Sequence, residues 1–425
     1  MADLPTRRAR RWGAAVKADG ARHAAPRSLV VGGLLTALVA LGQISTSIYI
    51  PSMPSIVAEL ESTAGRVNLT LSGFLVGFAV CQLVFGPLSD RFGRRPTLAI
   101  GLGMYIFASA LCMMAGDIGT LTVGRVLQGM AACVGPVLGR AIVRDVYGPE
   151  DTAKAMAYIG AALAVSPAMA PILGGYLQEW FGWRAAFVFL TGAGTVLLVA
   201  TRLLLAETGP RQQAGADVRH DPGLLAACGL LLGDRRYLGH TLAVACIFSG
   251  LMAFAAGGPF VFIGLLGLSP ARYGMLAIFT VGGYLLGSLS AGRMAGRIPA
   301  YRLMLLGIVA CIAGGSVMTA LAVSAPLSIA AIVAPMALFA AGLGVVLPAG
   351  IAGAMAPFPR IAGAASALLG FVQMLVAAAA AFMVGAMPHD SALPMAAVIA
   401  AGAALALPAL TILARPTPGP GHRGH

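Results

Sequence analysis

Charge is what this sequence has least of. Only 10% of its 425 residues are Asp, Glu, Lys or Arg, against about 25% in an ordinary soluble domain. Beside 59% hydrophobic residues, that leaves too little polar surface to cover the apolar bulk, and a water-soluble globule is excluded. Lysine is nearly missing: Lys17 and Lys154 are the only two, so arginine carries the net charge of +13. The six cysteines (Cys81, Cys112, Cys133, Cys228, Cys246, Cys311) form no C-x-x-C pair. That argues against a disulfide framework or a zinc site and leaves them as small buried hydrophobes. No H-E-x-x-H, no Walker loop, no paired intramembrane carboxylates and no nucleophile with its base are present. No catalytic residue, metal or cofactor is therefore expected, and the chain does not read as an enzyme.

The residues that are present fall into apolar runs of about 20, the length that crosses a bilayer as helix. They lack the period-two alternation of a membrane barrel. Twelve spans are predicted: 29–52, 67–88, 97–116, 120–143, 153–178, 185–206, 239–263, 273–293, 303–324, 327–355, 362–386 and 393–414. The first run continues well past the short apolar core of a signal peptide, so an uncleaved first helix is expected. Arginine crowds the gaps on one side (Arg91/Arg94/Arg95, Arg144, Arg211 to Arg236, Arg293/Arg297/Arg302, Arg360), whereas the other side holds Arg66, Arg184 and Arg272. Basic loops stay cytoplasmic, which puts both termini in the cytoplasm. The same distribution explains the basic charge through membrane orientation rather than nucleic acid.

The longest gap falls in the middle. Its "ETGPRQQAGADVRHDPG" is loop chemistry, and "LLAACGLLLGDRRYLGH" after it suits a short interfacial helix. The expected organisation is a basic tail (1–28), a six-helix bundle (29–206), a linker (207–238), a second six-helix bundle (239–414) and a second tail (415–425). The halves echo each other. "GPLSDRFGRRP" (86–96) follows span 2, and "GSLSAGRMAGRIP" (287–299) follows span 8. A motif repeated at the same place in each half marks a parallel repeat, with a substrate site between the halves near mid-membrane.

In the first copy, Gly86 and Gly93 permit a tight turn and close helix approach. Asp90 among Arg91, Arg94 and Arg95 is expected to be ionised and paired. These arginines can bridge it, acidic lipid, or Arg144/Asp145 at the end of span 4, and such a network can latch one side shut. In span 5, Pro167 and Pro171 bend the helix while Gly174 and Gly175 let a neighbour's backbone approach. Arg125 and Arg140 are the clear charges inside the spans, and an intramembrane ion is a functional candidate by default, although both lie where snorkelling to the interface is open to them. Gln128 lies at i+3 from Arg125, on nearly the same face.

These stretches resemble the major facilitator superfamily, and within it the twelve-span drug:proton antiporters of the bicyclomycin/chloramphenicol-resistance group. The likeness runs through "LSGFLVGFAVCQLVFGPLSDRFGRRPTL", "RVLQGMAACVGPVLGRAIVRD" and "SPAMAPILGGYLQEWFGWRAAF", and more weakly through "GGPFVFIGLLGLSPARYG" and "AGAASALLGFVQ". It implies two pseudo-symmetric bundles. It also implies a cavity-facing Arg125 that takes part in proton coupling, and a fifth-span motif that seals the cavity of an exporter.

One departure stands out. The group writes an Asp two residues before the Tyr of the first span, and here Ser45-Thr46-Ser47-Ile48-Tyr49 places Ser47 there. No other acid lies at mid-membrane: Asp90, Asp117, Asp145, Glu179 and Asp390 belong to span ends or loops. A lone buried Arg125 would be costly. Three resolutions are open. Hydroxyls with Gln43, Gln82, Gln128 or Gln373 solvate it in a wet cavity; an anionic or zwitterionic substrate pairs it; or the proton site has moved to Asp90/Asp145. The first is favoured. Tyr49, Gln43, Ser47, Phe74, Gln82, Phe254, Phe260 and Gln373 are the expected cavity lining.

The functional expectation is a secondary exporter of small amphipathic molecules in a bacterial inner membrane, acting by alternating access in exchange for protons. The alternative is a facilitator or importer of one metabolite, uncoupled because the first-span acid is Ser47. Expected partners are a small-molecule substrate, the lipid bilayer and protons, with no nucleic acid, and a monomer is expected.

Overall fold

A computed structural model describes residues 30–147, 149–208 and 223–414, without the side chains of Arg144, 149–159 and 161–164. The tails 1–28 and 415–425 and the middle of the linker lie outside the described residues. With no water in the bilayer core, every backbone N–H and C=O must be paired inside its own segment, and helix is the solution that does so. No strand occurs among the described residues.

Eleven described helices are long and apolar enough to cross a membrane. They are Val30–Glu59, Ala64–Phe92, Arg94–Met113, Ile118–Val143, Arg184–Leu204, Arg235–Leu265, Pro270–Met294, Ala300–Ser324, Ile329–Met355, Pro359–Ala386 and Leu393–Leu413. Helix Pro149–Phe181, of 33 residues, stands where the fifth span is predicted. Each predicted span thus meets a helix in the predicted order, and the short helix expected in the linker is Leu224–Gly233.

The first span is longer than predicted because it is interrupted rather than ended. Its helix runs to Ser47, turns at Ile48–Tyr49, passes through a 3₁₀ turn at Ile50–Ser52, and resumes as helix Met53–Glu59. Pro51 and Pro54 lack the N–H groups that would carry the helix straight through.

Glycine decides where the helices meet. At Gly174 of span 5 an added Cβ would overlap the carbonyl of Ile48, at the break in span 1. At Gly175 it would stand 2.9 Å from the Cα of Ala271, and at Gly274 it would stand 3.0 Å from the Cα of Ile172. Span 5 of the first half and span 8 of the second therefore touch backbone to backbone. A second seam joins span 2 to span 11, where a Cβ on Gly65 would stand 2.8 Å from the Gly385 carbonyl. Gly86 faces open space, so it does not serve the close approach expected of it. Gly93 does need its freedom, because it turns the chain between spans 2 and 3 at φ +102°.

Gly174→Val should therefore destabilise the fold by about 1–3 kcal/mol through overpacking. Gly86→Ala should not, since Ala in an open helical position is if anything the better helix former. Thermal unfolding of the two purified variants in detergent checks the contrast; equal midpoints would show that the span 1–span 5 contact is not tight.

Candidate functional site

A cavity of about 430 Å³ lies between the halves. Span 1 gives it Gln43, Thr46 and Ser47; span 5 gives Pro167 and Pro171; span 8 gives Tyr273, Thr280 and Tyr284; span 11 gives Gln373 and Met374. Phe78, Phe248, Phe254 and Met252 supply aromatic and thioether surface. No lining residue among those described carries a formal charge. Such a wall binds by apolar contact and orients through a few hydroxyls and amides.

Of the lining residues expected from sequence, Gln43, Ser47, Phe254 and Gln373 are on the wall. Tyr49, Phe74, Gln82 and Phe260 are not, and each has a physical reason. Tyr49 and Phe74 are fully buried, with their rings against a guanidinium. Gln82 is buried in the span 2–span 11 seam, against Gly370. Phe260 meets the ring of His389, with centroids 4.9 Å apart.

The guanidinium is that of Arg125, and it is fully buried. It lies 4.1 Å from the centroid of the Tyr49 ring and 4.2 Å from that of Phe74. Its Nη1 donates to the Gln128 Oε1 at 2.5 Å and to the Ser45 carbonyl at 3.0 Å. Gln128 is held in turn by donating from Nε2 to Ser109 Oγ at 2.7 Å. Ser45 Oγ shares a 2.5 Å hydrogen bond with Tyr105 OH, and Tyr49 OH one of 3.1 Å with Thr70 Oγ1. Arg125 Nε and Nη2 make no hydrogen bond among the described residues. The charge is thus met by two ring faces, an amide and a carbonyl, a combination that favours a desolvated cation. The wet cavity with Gln43, Gln82 and Gln373 around Arg125 is corrected here. Only Gln128 of the four glutamines reaches it, and the cation sits behind the wall rather than on it.

The signature turn gathers charge at one end of the first half. Arg94 bridges Asp90 at 2.5 Å and Asp145 at 3.1 Å, and donates to Ser89 Oγ. Its own backbone N–H donates to Glu207 Oε1 at 2.8 Å, and that of Arg95 to Glu207 Oε2 at 3.3 Å. The Glu207 carboxylate caps the start of span 3, where the helix dipole favours an anion. Arg95 donates to the Arg202 carbonyl, and Arg91 lies 5.4 Å from the Phe92 ring. Arg144 has its side chain outside the described residues. Arg140 donates from Nε to the Pro136 carbonyl one turn back at 2.9 Å. These contacts tie spans 2, 3, 4 and 6 to one another within a single half. Asp90 is 58% exposed, so its share is small, as for surface pairs generally.

Sequence reasoning missed Glu207, Ser45, Tyr105 and Ser109. Glu207 stood in the linker, where only its place just after a span near a predicted arginine cluster signalled it. The others stood as generic polar residues.

The Major Facilitator Superfamily model matches residues 35–381. The chain is 33% identical over 381 residues to an uncharacterized MFS-type transporter, YdgK, of Bacillus subtilis strain 168, covering 87% of this chain and 92% of that protein. It is 30% identical over 340 residues to multidrug resistance protein D of Escherichia coli K12, covering 80% and 84% respectively. Among solved structures the D-xylose–proton symporter superposes with a TM-score of 0.72 at 18% identity, covering 90% of this chain and 97% of that one. At that identity the likeness is one of fold.

Removing the acceptor for a buried guanidinium should be costly. Gln128→Leu is expected to lower stability by about 1.5–3 kcal/mol, the range for a hydrogen bond to a charged group. Gln43→Leu, on the cavity wall, should change it by about 0.5 kcal/mol or less. Unfolding in detergent measures both, and equal effects would remove the distinction between the Arg125 cluster and the wall.

Proposed function

The chain belongs to the Major Facilitator Superfamily of membrane transporters, and we propose that it is a drug exporter. In this reading it carries small, uncharged amphipathic molecules out across a bacterial inner membrane, in exchange for protons, by alternating access. Both termini and the Arg94–Glu207 cluster face the cytoplasm; the opposite end, where Arg184 pairs with Glu59, faces outward. The observation that carries the reading is the cavity wall. It mixes aromatic, thioether and proline surface with scattered hydroxyls and amides, and its described residues bear no charge. A wall of that kind accommodates many shapes and rejects unpaired ions. The close seam between span 5 and the break in span 1 and the likeness to multidrug resistance protein D support export.

Ser47 favours a second reading. It lies on the wall where the resemblance would place an acid, and a wall without a carboxylate among its described residues suits facilitated movement of one neutral solute.

Inverted vesicles with an imposed pH gradient separate the two. The native chain should accumulate chloramphenicol, a neutral probe, and a protonophore should stop it. If only Ser47→Asp accumulates the probe against its gradient, the facilitator reading replaces the exporter. In the same vesicles a monocationic dye should be carried roughly tenfold less well, about 1.4 kcal/mol of discrimination, because it would meet no carboxylate. Equal transport of dye and neutral probe would contradict the uncharged substrate class.

A further inference from the structure

Beside the cavity, at the end of span 7 that the proposed orientation turns outward, lies a turn of unusual helix. Span 7 passes through Gly257, Gly258 and Pro259 and widens into a π-helix, Phe260–Leu265. Such turns are rare and occur frequently at functional sites. Phe262 packs on Phe254 (centroids 6.1 Å) and on Tyr273 (5.7 Å), both of which line the cavity. Segment Met53–Glu59 of the first half rests against the same π-turn. The turn therefore lies against the cavity wall, touched by both halves.

His389, in the link between spans 11 and 12, lies on the turn's first residue. Its ring meets Phe260 edge-on, at 70° and 4.9 Å. Its Nε2 is shielded from solvent and makes no hydrogen bond among the described residues. A neutral imidazole can leave one nitrogen as a bare lone pair; an imidazolium has N–H donors on both nitrogens, and each needs a partner or water. Burial pulls the His389 pKa below the ordinary imidazole value, and the Asp390 carboxylate beside it opposes that shift more weakly. No other titratable side chain stands on residues 250–268, 376–388 or 391–413. Glu59, on the segment against the π-turn, is engaged by Trp183 Nε1 at 2.8 Å and by Arg184.

We propose that His389 is a proton-binding switch for the outward seal. Neutral, it backs Phe260 and completes the packing of the π-turn. On taking a proton from the outer medium, its ring must turn to water, Phe260 loses its backing, and the turn loosens. The sign follows from linkage. The closed state has the lower pKa and binds fewer protons, so closure is full above the ordinary imidazole pKa and weakens as pH falls through the range below it. The proposal rests on the orientation given under the proposed function.

Hydrogen–deuterium exchange on the full chain in detergent, between about pH 8 and 5, tests it without substrate or gradient. After correction for the intrinsic chemical rate, opening of amides 260–266 should rise as pH falls, by up to about tenfold per unit, the limit for one proton. His389→Gln should flatten the response, and Asp390→Asn should move it to lower pH. A flat native profile, or an unchanged response in His389→Gln, overturns the switch. If the Gln variant does not fold, an unmoved midpoint in Asp390→Asn does the same. Failure of the switch would leave drug transport in vesicles untouched, and failure of drug transport would leave the exchange response standing.

Discussion

A guanidinium wholly out of water, with no carboxylate among the described residues to meet it, sets the terms for the first half of this protein. Removing an ion from water costs several kcal/mol even after relaxation, so the surroundings of Arg125 must be built around it. Four spans contribute. Span 1 offers the Ser45 carbonyl and the Tyr49 ring; span 2 offers Phe74; span 4 offers Gln128; and span 3 holds Gln128 through Ser109. The break after Ser47 lies inside this arrangement, between Ser45 and Tyr49, the two span 1 residues that meet Arg125.

The same break is what span 5 packs on. Gly174 presses against the Ile48 carbonyl, and its neighbour Gly175 presses against span 8 of the other half. One short stretch of helix therefore joins the irregular backbone of span 1 to the partner bundle. Backbone contact without side chains leaves little to rearrange when two bodies roll against each other. Charge is used differently. The described contacts among Arg94, Asp90, Asp145 and Glu207, with that of Arg95 on the Arg202 carbonyl, join the ends of four spans of the first half.

The fold was legible because the physics that dictates it is local. Apolar length suffices for the spans and their order, and Gly93 marks the turn after span 2, whereas the break at Pro51 inside the first span was not read from the sequence. What was not legible was which way a side chain faces once the helices pack. Tyr49 and Phe74 have the composition of cavity residues, yet they turn to Arg125. Gln82 and Gln373 look alike in sequence, yet one is sealed against Gly370 while the other lines the cavity. Helix rotation is decided by partners far along the chain, and a single sequence does not display them. Glu207 is the plainest case, since its partners Arg94 and Arg95 lie more than a hundred positions away and only folding brings them together.

The missing first-span acid takes on meaning from this partition. In a cavity with Arg125 on its wall, an absent carboxylate would leave a bare cation facing the substrate. Here the cation lies behind Tyr49 and Phe74, and Ser47 faces the cavity alone, so the loss of an acid leaves the wall neutral instead of positive. Neutrality of the wall and burial of the arginine then support each other. A carboxylate at position 47 would add charge to an otherwise apolar lining, and exposing Arg125 would require opening the aromatic pair that compensates it. Among the described residues, the carboxylates and histidines stand at the ends of the spans and in the links between them rather than on the wall, so the groups that take up a proton near neutral pH lie apart from the substrate space and its lining stays uncharged.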